Sequence, residues 1–166
     1  MLPTRARYPP ETSIQPSNVR RVAVAIAIAT AVSAAAFART SLDALFTQTP
    51  SEMKFVADPA HAGYETAVLV GDPAGPGIYA VHTKLPANIK IVPHTHSEKW
   101  RIATVLSGTL YYAQGDTFDE RKLRALGPGS LIVEPQDVPH FAMTKGEAVM
   151  LNIVGEGPAG TYPVRK

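Results

Sequence analysis

Three histidines in the second half of the chain have the spacing of a metal site. His94 and His96 lie two residues apart in the segment VPHTH, residues 92–96. Residues i and i+2 of a β-strand point to the same face, so a strand here would present both imidazoles to one side. His140 follows a turn signal at 135–139 and begins another stretch of β-forming residues. Two imidazoles from one strand and a third from a neighbouring strand can hold a metal ion with positions left open for water or substrate.

Spacing alone leaves a second interpretation, in which the His-x-His pair beside a proline is a solvated strand end. The chain has no cysteine, which excludes a disulfide framework, a thiolate zinc site and a cysteine nucleophile. Neutral imidazoles suit one divalent Fe, Mn, Zn, Ni or Cu ion, and the residues do not choose among these metals.

The elements that must position the histidines are predicted to be short β-strands. The 166 residues include 15 Pro and 12 Gly, too many for a helical bundle, and no convincing amphipathic helix is present. Short β-forming stretches that alternate with Gly/Pro turns predict an all-β fold, a sandwich or a barrel, in one domain. The predicted strands cover residues 64–70, 77–85, 89–94, 101–113, 122–126, 130–134, 139–144 and 147–154.

The charge is distributed unevenly along the chain. The formal net charge is +2, but four arginines precede residue 22 with a single acid, Glu11. From Arg39 onward there are 12 Lys and Arg against 13 Asp and Glu. The predicted barrel therefore lacks the excess of positive charge that nucleic-acid-binding domains carry, and a nucleic-acid partner is not expected.

The first 38 residues resemble a secretory signal peptide. An uncharged apolar run, residues 22–36, follows Arg20 and Arg21, and Ala36-Phe37-Ala38 has the small-x-small pattern of a cleavage site. We expect cleavage after Ala38, export to the periplasm or medium, and no membrane association of the mature chain. The alternative is an uncleaved N-terminal anchor, and the paired arginines partly match a twin-arginine signal. Residues 39–63 are predicted to be irregular, with one helical turn at 42–46.

Two ordered segments resemble the motifs of the cupin superfamily. The first is PAN-x5-HTH over residues 86–96, followed by TVLSG at 104–108, and the second is GS-x4-PQDVPHF over residues 129–141. The resemblance covers most of the chain after residue 67 and is closest to small single-domain bacterial cupins. It implies a conical β-barrel of the double-stranded jelly-roll type over residues 64–162. It also implies that His94, His96 and His140 are metal ligands and that the protein is a homodimer.

The sequence departs from the cupin pattern at three positions. Asn88 and Asp137 stand where the motifs have glycine, and both residue types tolerate a left-handed turn better than other non-glycine residues. The glutamate that usually serves as the fourth ligand is replaced by Arg101, which cannot bind a cation. Two carboxylates are candidates for that role, Glu98 and, more weakly, Glu134; the alternative for Glu98 is a solvated loop charge.

Other side chains are candidates for a substrate pocket. Arg101 could clamp an anion if it points inward, although an inward arginine would repel a tightly bound divalent ion, so an outward orientation is expected. Of the adjacent Tyr111 and Tyr112, one faces the barrel interior, and Tyr111 is the one predicted for the pocket. His82 is predicted as a further pocket residue that is not a ligand.

The sequence supports two functions of different classes. The first is a metal-dependent enzyme, foremost a dioxygenase acting on a small organic acid or phenol and next an isomerase or decarboxylase. The second is a non-catalytic module that binds a small anion or sugar, with a weak or empty metal site. No individual catalytic residue can be assigned from the sequence.

Overall fold

The computed structural model describes residues 42–59 and 61–165. The predicted signal peptide and its cleavage site lie outside the described residues. Eleven strands and two short 3-10 helices, Pro50–Glu52 and Glu120–Lys122, make up the regular structure of this part of the chain. In chain order the strands are β1 (Val56–Ala57), β2 (Glu65–Val70), β3 (Gly77–Leu85), β4 (Lys90–His96), β5 (Trp100–Ser107), β6 (Leu110–Gln114), β7 (Arg124–Leu126), β8 (Leu131–Pro135), β9 (His140–Thr144), β10 (Val149–Gly157) and β11 (Thr161–Pro163).

The strands form two antiparallel sheets in a jelly-roll arrangement, which confirms the all-β expectation. One sheet has six strands in the order β1-β2-β3-β10-β5-β8, and the other has five in the order β11-β4-β9-β6-β7. Neighbours within a sheet are often distant in sequence, as in the β4–β9 and β3–β10 pairs. This topology places the His-x-His strand beside the strand that begins with His140.

The core lies between the two sheets, where alternate residues of each strand turn inward. On β3, for example, Tyr79, Val81 and Leu85 are buried. Burial of these apolar side chains supplies most of the driving force that holds the sheets together. The core cluster consists of Tyr79, Val81, Leu85, Ala103, Val105, Leu110, Ile132, Ala142, Val149, Leu151 and Ile153.

The long strand predicted at 101–113 is two strands, β5 and β6, joined by a turn at Gly108. Gly108 has a φ of 74°, and a Cβ at this position would lie 2.3 Å from the carbonyl oxygen of Ala148. The close approach of this backbone requires glycine. The chain therefore crosses from one sheet to the other at this residue.

The predicted helical turn at 42–46 is wrong, because the first helical turn of the described chain is the 3-10 helix Pro50–Glu52. The carboxylate of Glu52 accepts hydrogen bonds from the backbone N–H and the hydroxyl of Thr49, at 2.6 and 2.8 Å. Proline at the first helical position and this capping contact favour helix initiation at residue 50. Within the described residues, no helix has the length and apolar character needed to cross a membrane.

Candidate metal centre

The structure brings the three predicted histidines together. His94 and His96 lie at the end of β4, and the β4–β9 register places His94 directly opposite His140. The ring centroids are separated by 4.4 to 5.0 Å, and one ring nitrogen from each histidine lies within 4.8 Å of the others. His96 and His140 are each only 3% exposed. The interpretation of the pair as a solvated strand end is therefore wrong for His96, while His94 is partly buried.

Backbone carbonyls determine which ring nitrogen each histidine offers. The Nδ1 atoms of His94, His96 and His140 lie 2.8, 3.2 and 3.0 Å from the carbonyl oxygens of Val92, Gly160 and Val138. A carbonyl only accepts, so each Nδ1 carries the hydrogen and donates it. Each Nε2 is then left with a free lone pair, and the Nε2 atoms of His96 and His140 are buried without a hydrogen-bond partner.

The environment keeps these imidazoles neutral. Burial lowers the pKa of His94 to about 4 and that of His96 to about 2, with the positive charge of Arg101 as the second cause at His96. Burial also lowers the pKa of His140, although the charge of Glu134 acts in the opposite direction. At neutral pH all three Nε2 lone pairs are therefore available to a cation, with little competition from protons.

A buried ion pair lies against the histidines. Arg101 on β5 and Glu134 on β8 are paired in the β5–β8 register, and Nε of Arg101 donates a hydrogen bond to Oε2 of Glu134. The arginine side chain is 17% exposed, and its charge acts on all three histidines. The expected outward orientation of Arg101 is therefore wrong, because Glu134 supplies an inward partner.

The carboxylate of Glu134 is the acidic group nearest to the histidine nitrogens among the described residues. Its Oε1 lies 3.3 Å from Nε2 of His140, and its Oε2 lies 3.8 Å from Nε2 of His96. Glu134 is 5% exposed and shares the inward face of β8 with Ile132. From the sequence, Glu134 is a weaker candidate than Glu98, because the phase of alternation along β8 is not evident without the β5–β8 register.

Glu98 is not the solvated loop charge that the sequence left open, since it is only 2% exposed. Its carboxylate accepts a 2.6 Å hydrogen bond from the hydroxyl of Tyr79 and a 3.3 Å bond from the backbone N–H of Gly160. Glu134, unlike Glu98, forms close contacts with the cluster nitrogens, at 3.3 and 3.8 Å. Glu98 thus holds the C-terminal segment in place through the backbone N–H of Gly160. The carbonyl oxygen of the same residue accepts the hydrogen bond that orients His96.

The tyrosine beside the histidines is Tyr112, so the assignment of Tyr111 to the pocket needs correction. The ring of Tyr112 stacks on that of His140 with centroids 5.3 Å apart, whereas Tyr111 lies under the ammonium group of Lys145. Alternation along β6 puts the two rings on opposite faces. Burial, with the charge of Glu134 as the second cause, raises the pKa of Tyr112, which keeps its hydroxyl protonated at neutral pH.

His82 also lies away from the histidine cluster. On β3 it alternates with the core residues Tyr79 and Val81 and therefore occupies the outer face, opposite Asn152 of β10. The prediction of His82 as a pocket residue is corrected accordingly. Its Nδ1 is buried without a hydrogen-bond partner.

A cavity of about 290 Å³ opens beside His140 and Glu134. Its lining combines apolar residues with polar ones, among them Tyr112 and Gln114. The lining residues are Tyr112, Gln114, Val133, Glu134, Pro135, Val138 and His140. A small organic molecule placed here would contact both the histidine cluster and the ion pair.

Comparisons with known proteins are consistent with this architecture. A family model described as Cupin matches residues 75–162, just over half of the chain. The polyketide cyclase RemF from Streptomyces resistomycificus is 19% identical, with a TM-score of 0.60 over 74% of this chain and 87% of that one. The DMSP lyase DddQ from Ruegeria pomeroyi is 18% identical, with a TM-score of 0.53 over 70% and 64% of the two chains.

An RmlC-like cupin from Shewanella frigidimarina is 15% identical, with a TM-score of 0.52 over 74% of this chain and 95% of that one. No curated protein matches the chain significantly. At these levels of identity the structural likeness establishes the fold and leaves the chemistry to be argued from the site.

Proposed function

This chain belongs to the cupin family, and we propose that it is a metalloprotein that binds one divalent ion through His94, His96 and His140. The observation that carries the proposal is the set of Nε2 lone pairs, of which two are buried without a hydrogen-bond partner. Buried polar atoms without partners are rare and costly, and a ligand that these atoms share would remove the cost. The donor set of three neutral imidazoles suits Fe, Mn, Zn, Ni or Cu.

We further propose that the site is catalytic and acts on a small organic acid or phenol in a reaction of the dioxygenase type. The bound ion would supply open coordination positions and stabilise developing negative charge on the substrate. The apolar side chain of Val138, which lines the 290 Å³ cavity, would exclude water from the substrate. The neutral hydroxyl of Tyr112 would donate a hydrogen bond to a substrate oxygen.

An isomerase or decarboxylase is the next reaction type, because the hydroxyl of Tyr112 would supply a proton to the substrate without oxygen chemistry. Among the structural neighbours, one is described as a polyketide cyclase and another as a DMSP lyase. The fold therefore accommodates more than one reaction type, and it does not choose between them.

The alternative is a non-catalytic module that binds a small anion or sugar. Arg101 is the observation in its favour, because its positive charge lies beside the cavity-lining Glu134. The same contact weakens this alternative, since a guanidinium already paired with a carboxylate attracts a second anion less strongly. We also propose that the mature protein is exported, on the basis of the basic, apolar and Ala-x-Ala segments of residues 1–38.

Metal analysis of untagged protein tests the proposed site. We expect close to one divalent ion per chain, and a sharp loss of occupancy with retention of the β fold in each of His94→Ala, His96→Ala and His140→Ala. His82→Ala is the matched control, because it removes a partly buried histidine from the outer face and should leave the metal content unchanged. Wild-type metal content in all three cluster variants would exclude the site.

Oxygen uptake separates the two functional classes once the metal content is known. The metal-loaded protein is incubated with catechol and with a panel of small hydroxy and keto acids. Consumption of oxygen that His140→Ala abolishes supports the dioxygenase. Stoichiometric binding of an acid without turnover supports the binding module.

A further inference from the structure

Nε2 of His140 and Oε1 of Glu134 face each other, and both atoms are hydrogen-bond acceptors. Nδ1 of His140 is 3.0 Å from the carbonyl oxygen of Val138, which cannot donate, so the hydrogen of the neutral ring is on Nδ1. Its Nε2 lone pair then lies 3.3 Å from Oε1 of Glu134. Two lone pairs at this distance repel each other, and the structure gives Nε2 of His140 no hydrogen-bond partner. A cation between the two atoms would make the same geometry favourable.

We propose that Glu134 is the fourth, anionic ligand of the metal, delivered from β8. This inference rests on the proposed three-histidine site and adds a residue to it. Two ligand atoms that are each about 2.1 Å from one ion lie roughly 3.0 Å apart at octahedral angles and 3.4 Å apart at tetrahedral angles. The separation of 3.3 Å between Oε1 of Glu134 and Nε2 of His140 lies within this range.

The two oxygens of the carboxylate face different partners. Oε2 of Glu134 accepts the hydrogen bond from Arg101, while Oε1 is the oxygen nearer to His140. A carboxylate can hold a guanidinium with one oxygen and a metal with the other, and the guanidinium then fixes the orientation of the ligand. Glu134 is outside the group of atoms within 4.8 Å of one another, so metal binding would require a shift of its side chain toward the cluster.

The pairing of Glu134 with Arg101 also reduces the repulsion between the arginine and a bound metal ion. A free arginine about 5 Å from a divalent ion would repel it by several kcal/mol at an effective dielectric constant near 20. Glu134 offsets that charge, so the cluster presents three neutral imidazoles, one positive and one negative group. The cluster then carries no net positive charge that would repel a divalent ion, and Glu134 supplies one anionic ligand.

Titration of the metal-stripped full chain with Co²⁺, followed by visible absorption, tests the proposal. The d–d bands of Co²⁺ depend on the number and type of its ligands, so they report on the ligand set independently of activity. For Glu134→Gln we expect at least a tenfold loss of Co²⁺ affinity and an altered spectrum. The matched control is Glu65→Gln, which removes a half-exposed carboxylate of β2 that pairs with Lys84 and should leave affinity within about threefold and the spectrum unchanged.

A second variant separates the loss of the carboxylate ligand from the effect of leaving Arg101 without its ion-pair partner. Arg101→Met combined with Glu134→Gln removes both charges, and it should retain the altered spectrum of Glu134→Gln if the carboxylate is a ligand. A wild-type spectrum in this double variant, or wild-type affinity and spectrum in Glu134→Gln, would overturn the assignment of Glu134. His140→Ala distinguishes the two proposals: if it also binds Co²⁺ as tightly as wild type, the three-histidine site itself is wrong.

Discussion

At the scale of single residues, backbone carbonyls decide which ring nitrogen of each histidine can bind a ligand. Three carbonyls, from Val92, Val138 and Gly160, take up the Nδ1 hydrogens and direct the Nε2 atoms toward one point. This outer shell fixes the tautomer and the ring orientation before any ion is bound. The preorganised lone pairs are therefore a property of the chain itself.

The lowered histidine pKa values make the stability of the metal-free protein depend on pH. Below about pH 6.5 the unfolded chain takes up protons at these histidines, while folded His94 remains neutral to about pH 4 and His96 to about pH 2. The unfolded state then binds more protons, so stability falls as the pH falls, by up to about 1.4 kcal/mol per pH unit for each group. We expect denaturant unfolding to give a lower free energy at pH 5 than at pH 7.

His96→Ala is the control for this pH dependence, because it removes one of the depressed groups. The decrease between pH 7 and pH 5 should be smaller in this variant. An equal decrease in His96→Ala and wild type would show that His96 is not the source.

The buried pair of Arg101 and Glu134 gives a prediction for stability. Arg101→Met leaves Glu134 buried without its partner, and removal of one member of such a pair costs about 3–5 kcal/mol. We expect a loss of roughly this size in the free energy of unfolding, with more than half of it recovered when Glu134→Gln is added. Equal destabilisation in the single and double variants would indicate that the pair itself contributes little.

Much of the site was predictable from single residues, and the rest depended on which residues of each strand face the barrel interior. The i, i+2 spacing of His94 and His96 determines that they share a face of any strand. Whether Tyr111 or Tyr112 turns inward, and likewise whether Glu134 does, depends on the phase of each strand relative to the barrel. That phase is set by packing across the two sheets, which a single sequence does not display.

At the scale of elements, two tight turns hold the histidine strands in place. Asn88 precedes β4 and Asp137 precedes β9, with φ values of 60° and 58°. The expectation that these residues replace glycine in left-handed turns is confirmed. The backbone N–H of Asp137 also donates a 3.1 Å hydrogen bond to the carbonyl oxygen of His96, which ties the second turn to the end of β4.

Substitutions at Asp137 test the importance of this turn. Asp137→Gly should keep the stability within about 0.5 kcal/mol, because glycine adopts the left-handed conformation without steric cost. Asp137→Val should lose about 1–2 kcal/mol, since its Cβ branches clash in that conformation. Thermal unfolding of the two variants measures the difference, and equal stability would contradict a strained turn.

Element boundaries were less predictable than element types. Strand β3 has the predicted bounds of 77–85, because its alternation is long and its ends are marked by turn residues. Strand β11 was missed, since three residues of sequence carry no periodic signal. It exists because Thr161, Tyr162 and Pro163 pair with the end of β4, a contact between residues more than 60 positions apart.

At the scale of the whole molecule, one sheet has an exposed apolar outer face. Ile78, Leu131 and Val133 are exposed, and strand alternation places them on the side of the six-stranded sheet that faces away from the core. Apolar surface of this kind is favourable to bury against a partner. We therefore propose that the homodimer expected from the sequence forms through this face.

Sedimentation velocity tests the dimer and its interface. Wild-type protein should sediment as a dimer, and Leu131→Lys should shift it toward monomer because it places a charge in the apolar face. The matched control is Val92→Lys, which changes an exposed valine on the other sheet and should leave the dimer intact. A monomeric wild-type mass would remove the proposal, and equal dissociation by both variants would remove the assigned face.

The most direct test of the three-histidine metal centre is anomalous diffraction from crystals of the metal-loaded protein, measured at the absorption edge of the bound metal. The expected result is one anomalous peak per chain within bonding distance of the Nε2 atoms of His94, His96 and His140, with the Nδ1 atoms still on their backbone carbonyls. The absence of a peak at this position, or a peak that lies elsewhere in the molecule, would contradict the account.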